Sequence, residues 1–157
     1  MSARLDKLLD EYGESHRNPV NKTIHWLCVP VIVWSVVAFL WLLPFPLASA
    51  SLPVPVNWAI LVVILAQAYW FSLSWRLGLG LLICNLVMIQ LVVIAEQTAS
   101  WPLWLLATVL FVLSWIGQFI GHLIEKKRPS FFKDLQFLLI GPAWLLAALY
   151  RLAGIRY

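Results

Sequence analysis

Residues 101–125 read WPLWLLATVLFVLSWIGQFIGHLIE, and this run is the clearest indication of how the chain folds. It contains no lysine, arginine or aspartate, and its one carboxylate, Glu125, comes at the very end. At about 1.5 Å per residue, an α-helix of this length matches the ~30 Å hydrocarbon core of a bilayer. The run therefore predicts a transmembrane helix that ends in polar residues.

The composition of the whole chain has the same character. Of its 157 residues 62% are hydrophobic and 11% are charged, and the mean hydropathy is +0.88. Because a soluble domain of this size cannot bury so much apolar surface, we expect an all-α, polytopic membrane helix bundle in a single integral membrane domain, residues 1–157. The net charge is +4, and the basic residues lie beside the apolar runs. That placement fits membrane orientation better than nucleic acid, which is not expected as a partner.

Four apolar runs predict four transmembrane helices. They cover about Asn21–Leu43, Asn57–Trp75, Leu77–Ala95 and Trp101–Glu125, with a tight connection at Arg76, Gly78 and Gly80. A fifth apolar stretch, Leu135–Leu152, is interrupted by Gly141-Pro142. Since proline leaves a backbone carbonyl without its helical donor, we predict that this stretch is kinked or re-entrant.

Residues 1–20 predict a cytoplasmic amphipathic segment that precedes the bundle of residues 21–157. Leu5, Leu8 and Leu9 lie at helical spacing between charged residues. Lysines and arginines cluster before the first predicted span, between the second and third, and after the fourth. The two remaining loops contain none, so the positive-inside rule predicts a multi-pass protein with a cytoplasmic N-terminus.

The three histidines of the chain all fall at this predicted cytoplasmic edge. His16 and His25 lie at the start of the first span, and His122 lies at the end of the fourth. Imidazole is a good ligand for zinc, iron or copper, and three imidazoles can hold a metal while leaving positions open. The histidines therefore predict a metal site, and the alternative is that they are structural residues at the interface.

Polar side chains accompany the histidines at helical spacing. Asn18 and Asn21 share a face with His25, and Gln118 and Glu125 share a face with His122. Such stripes are costly in lipid and should face the bundle interior. Glu125 could act as a fourth ligand, orient a histidine or accept a proton, and the amides could bind the outer ring nitrogens or the polar head of a substrate.

Three motifs resemble the membrane-bound 2-hydroxy fatty acid dioxygenases, a family with a eukaryotic endoplasmic-reticulum member and bacterial relatives. Residues 16–25, HRNPVNKTIH, resemble the first signature of the family, and residues 115–122, WIGQFIGH, followed by Glu125 and Pro129, resemble the second. Residues 136–142, QFLLIGP, resemble the third. The chain departs from the family pattern at Cys28-Val29, where glycine-isoleucine is usual, and at Ser130, where alanine is usual.

The resemblance implies an iron(II)-dependent dioxygenase that uses O₂ to shorten a 2-hydroxy fatty acid by one carbon, an α-oxidation step in a membrane lipid environment. It implies His16, His25 and His122 as metal ligands. Glu125 and Gln118 are the candidate catalytic residues. The side chains expected to contact the substrate or to orient the ligands are Asn18, Asn21, Lys22 and Gln136.

Other functions stay open on the residues alone. A bis-histidine haem protein would use His25 and His122 on facing helices. A non-enzymatic scaffold or transport subunit would need no metal. A zinc hydrolase would use the same ligand types, and only the resemblance favours iron over zinc.

Overall fold

A computed structural model describes residues 3–46, 57–126 and 136–157, apart from the side chains of residues 136 and 137. These three ranges are all-helical and contain no strand. The helices are α1 (Ala3–Gly13), α2 (Pro19–Leu42), α3 (Trp58–Leu73), α4 (Trp75–Thr98), α5 (Leu103–Glu125) and α6 (Gln136–Leu152).

Three of these helices are long and apolar enough to cross a membrane. They are α2, α4 and α5, with 24, 24 and 23 residues. α3 and α6 are also apolar but are shorter, with 16 and 17 residues. The predicted all-helical fold is confirmed, and three of the four predicted spans reach spanning length in the described part of the chain.

The connection between α3 and α4 differs from its prediction. It consists of Ser74 alone, which ends α3 through a backbone hydrogen bond to Trp70 and begins α4 by accepting a hydrogen bond from the Leu77 N–H. Gly78 lies inside α4, where a Cβ would meet the ring of Phe71. The predicted connection at Arg76, Gly78 and Gly80 was therefore wrong, because Ser74 caps both helices and the glycines serve close packing instead.

The predicted N-terminal helix forms and packs against the protein. α1 buries Leu5 and Leu9 in a core cluster with Ile140 and Ala143 of α6. The spacing of the leucines predicted the helix correctly, because it identifies one apolar face. That face is occupied by α6, and this contact holds the chain that follows α1 beside the bundle.

α2 and α5 lie close together because α5 carries two glycines on one face. Gly117 and Gly121 are four residues apart, the small-xxx-small pattern that lets membrane helices approach closely. A Cβ at Gly117 would lie 2.8 Å from the Cys28 sulfur, and one at Gly121 would overlap the side-chain oxygen of Asn21. The close approach brings the polar ends of α2 and α5 into contact.

α6 runs without interruption through Gly141 and Pro142. A helical proline at position 142 leaves the Leu138 carbonyl without its usual donor. The indole of Trp70 donates a 3.0 Å hydrogen bond to the next carbonyl, that of Leu139. A bond from α3 thus anchors α6 at its proline, and the predicted re-entrant turn does not occur within α6.

Candidate metal centre

The three histidines meet in the folded chain. Their ring centroids lie 4.2 Å apart for His16 and His25, 5.0 Å for His25 and His122, and 5.1 Å for His16 and His122. One nitrogen from each ring lies within 4.8 Å of the other two. Nitrogens that share a metal at about 2.1 Å are roughly 3 to 4 Å apart, so the cluster is close to a ligating arrangement.

His16 is oriented by the end of α1. Its Nδ1 donates a 2.6 Å hydrogen bond to the Tyr12 carbonyl, and its ring stacks on the Tyr12 ring at 4.3 Å. The ring is 1% exposed, and its Nε2 is buried without a hydrogen-bond partner. Burial, with the neighbouring His25, lowers the pKa of His16 to about 3. The ring is therefore neutral at pH 7, and Nε2 keeps a lone pair for a metal.

His25 and His122 approach His16 from α2 and α5. The Nδ1 of His25 donates to the Asn21 carbonyl one turn earlier at 2.9 Å, which leaves Nε2 as the lone-pair nitrogen. His122 lies one turn before α5 ends at Lys126, whose backbone adopts φ 57° and donates to the His122 carbonyl. The Nδ1 of His122 is buried without a partner. Unpaired buried imidazole nitrogens on two of the three rings fit a metal-binding cluster.

The carboxylate of Glu125 binds N–H groups at the start of α2. Its two carboxylate oxygens accept hydrogen bonds from the backbone N–H groups of Arg17 and Asn18, at 2.9 and 2.8 Å, and one also accepts from the Asn21 amide at 3.1 Å. A carboxylate is favoured at a helix N-terminus, where N–H groups lack partners. Glu125 therefore clamps the end of α5 to the segment that follows His16.

The two asparagines support this clamp. Asn18 is the N-cap of α2 and accepts a hydrogen bond from the Val20 N–H. Asn21 is fully buried, and its amide also donates to the Ser15 carbonyl at 3.1 Å. Asn21 thereby joins the residue before His16 to Glu125.

A small cavity of about 70 Å³ opens beside the imidazoles. Gln118 is buried in its wall, one helical turn before His122, as the spacing predicted. Most of the other lining is apolar and comes from α2, α5 and α6. The rings lie edge to face, with 88° between the planes of His25 and His122. They leave no space for a macrocycle between two axial imidazoles, so the geometry does not favour haem.

The remaining predicted residues lie away from the cavity or outside the description. Lys22 is exposed on α2. Gln136 begins α6, and its side chain is outside the described residues, as are Pro129 and Ser130 of the second motif. A substrate role for Lys22 or Gln136 remains a prediction.

Two contributors to the site were not identified from the sequence. Tyr12 orients and stacks on His16, and Trp144 of α6 lies 5.4 Å from the same ring. The four-residue interval between Tyr12 and His16 is a signal that could have revealed the first of them, because it places the histidine over the last turn of α1. Trp144 carries no such local signal.

Comparison with known proteins is consistent with this site. The sequence model of the family described as 2-hydroxy-palmitic acid dioxygenase Mpo1-like matches residues 2–152. The chain belongs to this family. The match covers all six described helices in full, so it includes the three histidines and Glu125. No curated protein and no solved structure shows a significant match to the chain.

Proposed function

We propose that this protein is an iron(II)-dependent dioxygenase that shortens a 2-hydroxy fatty acid by one carbon. The observation that carries the proposal is the convergence of His16, His25 and His122, two of them with an unpaired buried ring nitrogen, in a chain of the 2-hydroxy-palmitic acid dioxygenase Mpo1-like family. Iron(II) held by the three imidazoles would supply the redox chemistry that a reaction with O₂ requires.

The residues of the chain would bind and orient the substrate. Metal-bound imidazoles are neutral, so the loaded site keeps a positive charge that favours an anionic carboxylate. The Gln118 amide lines the cavity and offers a donor and an acceptor to the carboxylate or the 2-hydroxyl. Glu125 serves by positioning His16 and α2, because its oxygens are taken by three N–H donors.

The overall reaction balances without a further reductant. The bond between the carboxyl carbon and the hydroxyl-bearing carbon breaks, and the hydroxyl-bearing carbon becomes the carboxyl carbon of the shorter acid. One O₂ accepts four electrons, and the products are the shortened fatty acid, carbon dioxide and water. O₂ is therefore the only co-reactant that the reaction needs.

We also propose that the protein lies in a membrane with its N-terminus and its histidines at the cytoplasmic face. Large apolar side chains are exposed on the helices, such as Ile64, Ile83 and Leu113, each at least 58% exposed. An exterior of this kind is typical of a lipid-facing surface. The side of the membrane rests on the distribution of lysine and arginine, and a reporter tag at the N-terminus, tested for protease access in sealed vesicles, would determine it.

Oxygen consumption tests the reaction most directly. The detergent-purified, iron(II)-loaded protein is given a long-chain 2-hydroxy fatty acid, and the variants His122→Ala and Leu123→Ala are assayed in parallel. Leu123→Ala is the control, because Leu123 is adjacent to His122 and its side chain is 76% exposed. We expect uptake and a product one carbon shorter from the wild type and Leu123→Ala, and neither from His122→Ala. Bound iron without uptake would contradict the dioxygenase function, whereas a strong Soret band would identify haem instead.

A further inference from the structure

A second cavity adjoins the cavity at the three imidazoles, here called the histidine cavity, and it is lined by residues of α2, α3, α4 and α6. Its volume is about 160 Å³, roughly twice that of the cavity at the imidazoles. Apolar side chains form most of its wall, and they include Trp26, Trp70, Met88, Leu145 and Leu149. We refer to it as the apolar cavity.

The apolar cavity and the histidine cavity share part of their walls. Val29, Val33 and Pro142 line both. Val29 and Val33 follow His25 at intervals of four residues, so the three side chains form one stripe along α2. At about 5.4 Å per turn the stripe leads from the imidazoles roughly 12 Å along the helix. The two cavities therefore adjoin at these shared residues.

We infer that the apolar cavity holds the acyl chain of the substrate, and this inference rests on the proposed function. A 2-hydroxy fatty acid carries its carboxylate and hydroxyl on adjacent carbons, followed by a purely apolar chain. When that head lies at the imidazoles, the chain must leave along an apolar path, and the stripe of His25, Val29 and Val33 provides one. The apolar wall favours a hydrocarbon over water or a polar ligand.

The same geometry assigns chain-length selection to Met88 of α4. Met88 lines the apolar cavity but not the histidine cavity, and it is partly buried. A methionine side chain adapts to irregular apolar shapes, whereas the larger and stiffer tryptophan at this position would reduce the space in the cavity. Val87 is adjacent on α4, 50% exposed, and it lines neither cavity. Val87→Trp is thus the matched control for Met88→Trp.

Photo-crosslinking locates the chain without requiring turnover. The probe is a long-chain 2-hydroxy fatty acid with a diazirine at the chain terminus, added without oxygen to the full-length protein in lipid nanodiscs. We expect mass spectrometry to find the label in the segments that contain Met88 and Leu149, and excess unlabelled 2-hydroxy fatty acid to suppress it. Label confined to outward side chains such as Ile64, or label that competition leaves unchanged, would show a chain in bulk lipid and overturn the inference.

Chain-length preference provides the second readout. With saturated 2-hydroxy fatty acids from medium to long chain, Met88→Trp should lower kcat/KM for the longest substrate relative to the shortest by ~10-fold or more. Val87→Trp should leave the ratio unchanged. An unchanged ratio in Met88→Trp would overturn the inference while the dioxygenase function stands. If the wild type consumes no oxygen with any substrate, the proposed function fails and the crosslink alone decides the acyl site.

Discussion

Replacing Glu125 with glutamine tests whether this residue positions the metal site or binds the metal. The carboxylate accepts three hydrogen bonds, from the N–H groups of Arg17 and Asn18 and from the Asn21 amide. Glutamine keeps one acceptor oxygen and turns an N–H₂ group towards a donor, so at least one bond is lost. A hydrogen bond to a charged group contributes about 1.5–3 kcal/mol, and we expect a loss of that size in the free energy of unfolding.

The same substitution should weaken metal binding without abolishing it. The segment that Glu125 holds begins directly after His16, and removing a partner that orients a ligand typically costs ~10–100-fold in metal affinity. That range corresponds to about 1.4–2.7 kcal/mol, which agrees with the loss expected from the hydrogen bonds. Because the same hydrogen bonds hold the start of α2 and the segment next to His16, we expect the stability and the affinity to fall together.

Two measurements in detergent micelles check this prediction. Denaturant unfolding of the metal-free protein gives the stability, and titration with cobalt(II) gives the affinity. Glu96→Gln is the control, because Glu96 is also a carboxylate near the end of a helix but accepts a single hydrogen bond among the described residues, from the Trp41 indole. We expect it to change either quantity by less than ~0.5 kcal/mol.

Two results would refute the reasoning on Glu125. If Glu125→Gln matches the wild type in both measurements, the three hydrogen bonds do not hold the site together. If it loses cobalt as completely as His122→Ala while the metal-free protein unfolds normally, Glu125 is a ligand rather than a positioning residue.

Three further predictions concern packing and metal linkage. Gly121→Ala should destabilise the protein by ~1–3 kcal/mol, because its Cβ would overlap the buried Asn21 amide. Gly13→Ala adds a Cβ with only ordinary contacts and should not be destabilising. Equal free energies of unfolding for the two variants would contradict this prediction. Trp70→Phe should cost about 1 kcal/mol through the lost bond to the Leu139 carbonyl, and unchanged thermal unfolding would show that the bond is dispensable. Chelation should lower the unfolding temperature of the metal-loaded protein, since a metal at a hundredfold excess over its Kd adds ~2.7 kcal/mol to the free energy of unfolding. Identical unfolding temperatures with and without chelator would argue against a native metal site.

Much of the fold could be predicted from the sequence because helix length and hydropathy are local properties. The spans at α2, α4 and α5 follow from runs of apolar residues. Helix packing could not be predicted in the same way. α3 and α4 have no marked apolar face, so hydrophobic periodicity alone does not show which side meets the rest of the protein.

The candidate site could likewise be predicted only as far as local sequence properties reach. The sequence alone placed His25 at the start of one predicted span and His122 at the end of another, because each lies where an apolar run begins or ends. It also grouped Gln118 with His122 through helical spacing. These relations extend over a few turns of one helix and need no knowledge of its neighbours.

Only the tertiary structure decided how these ends meet. The two glycines of α5 let α2 approach, Glu125 clamps the start of α2, and the Tyr12 carbonyl turns His16 towards His25. Each of these contacts joins residues on different elements or on the loop between them, and the sequence pattern of one element does not contain its partner. The metal centre and the apolar cavity beside it are therefore properties of packing, which places the pairs of side chains that local periodicity leaves undetermined.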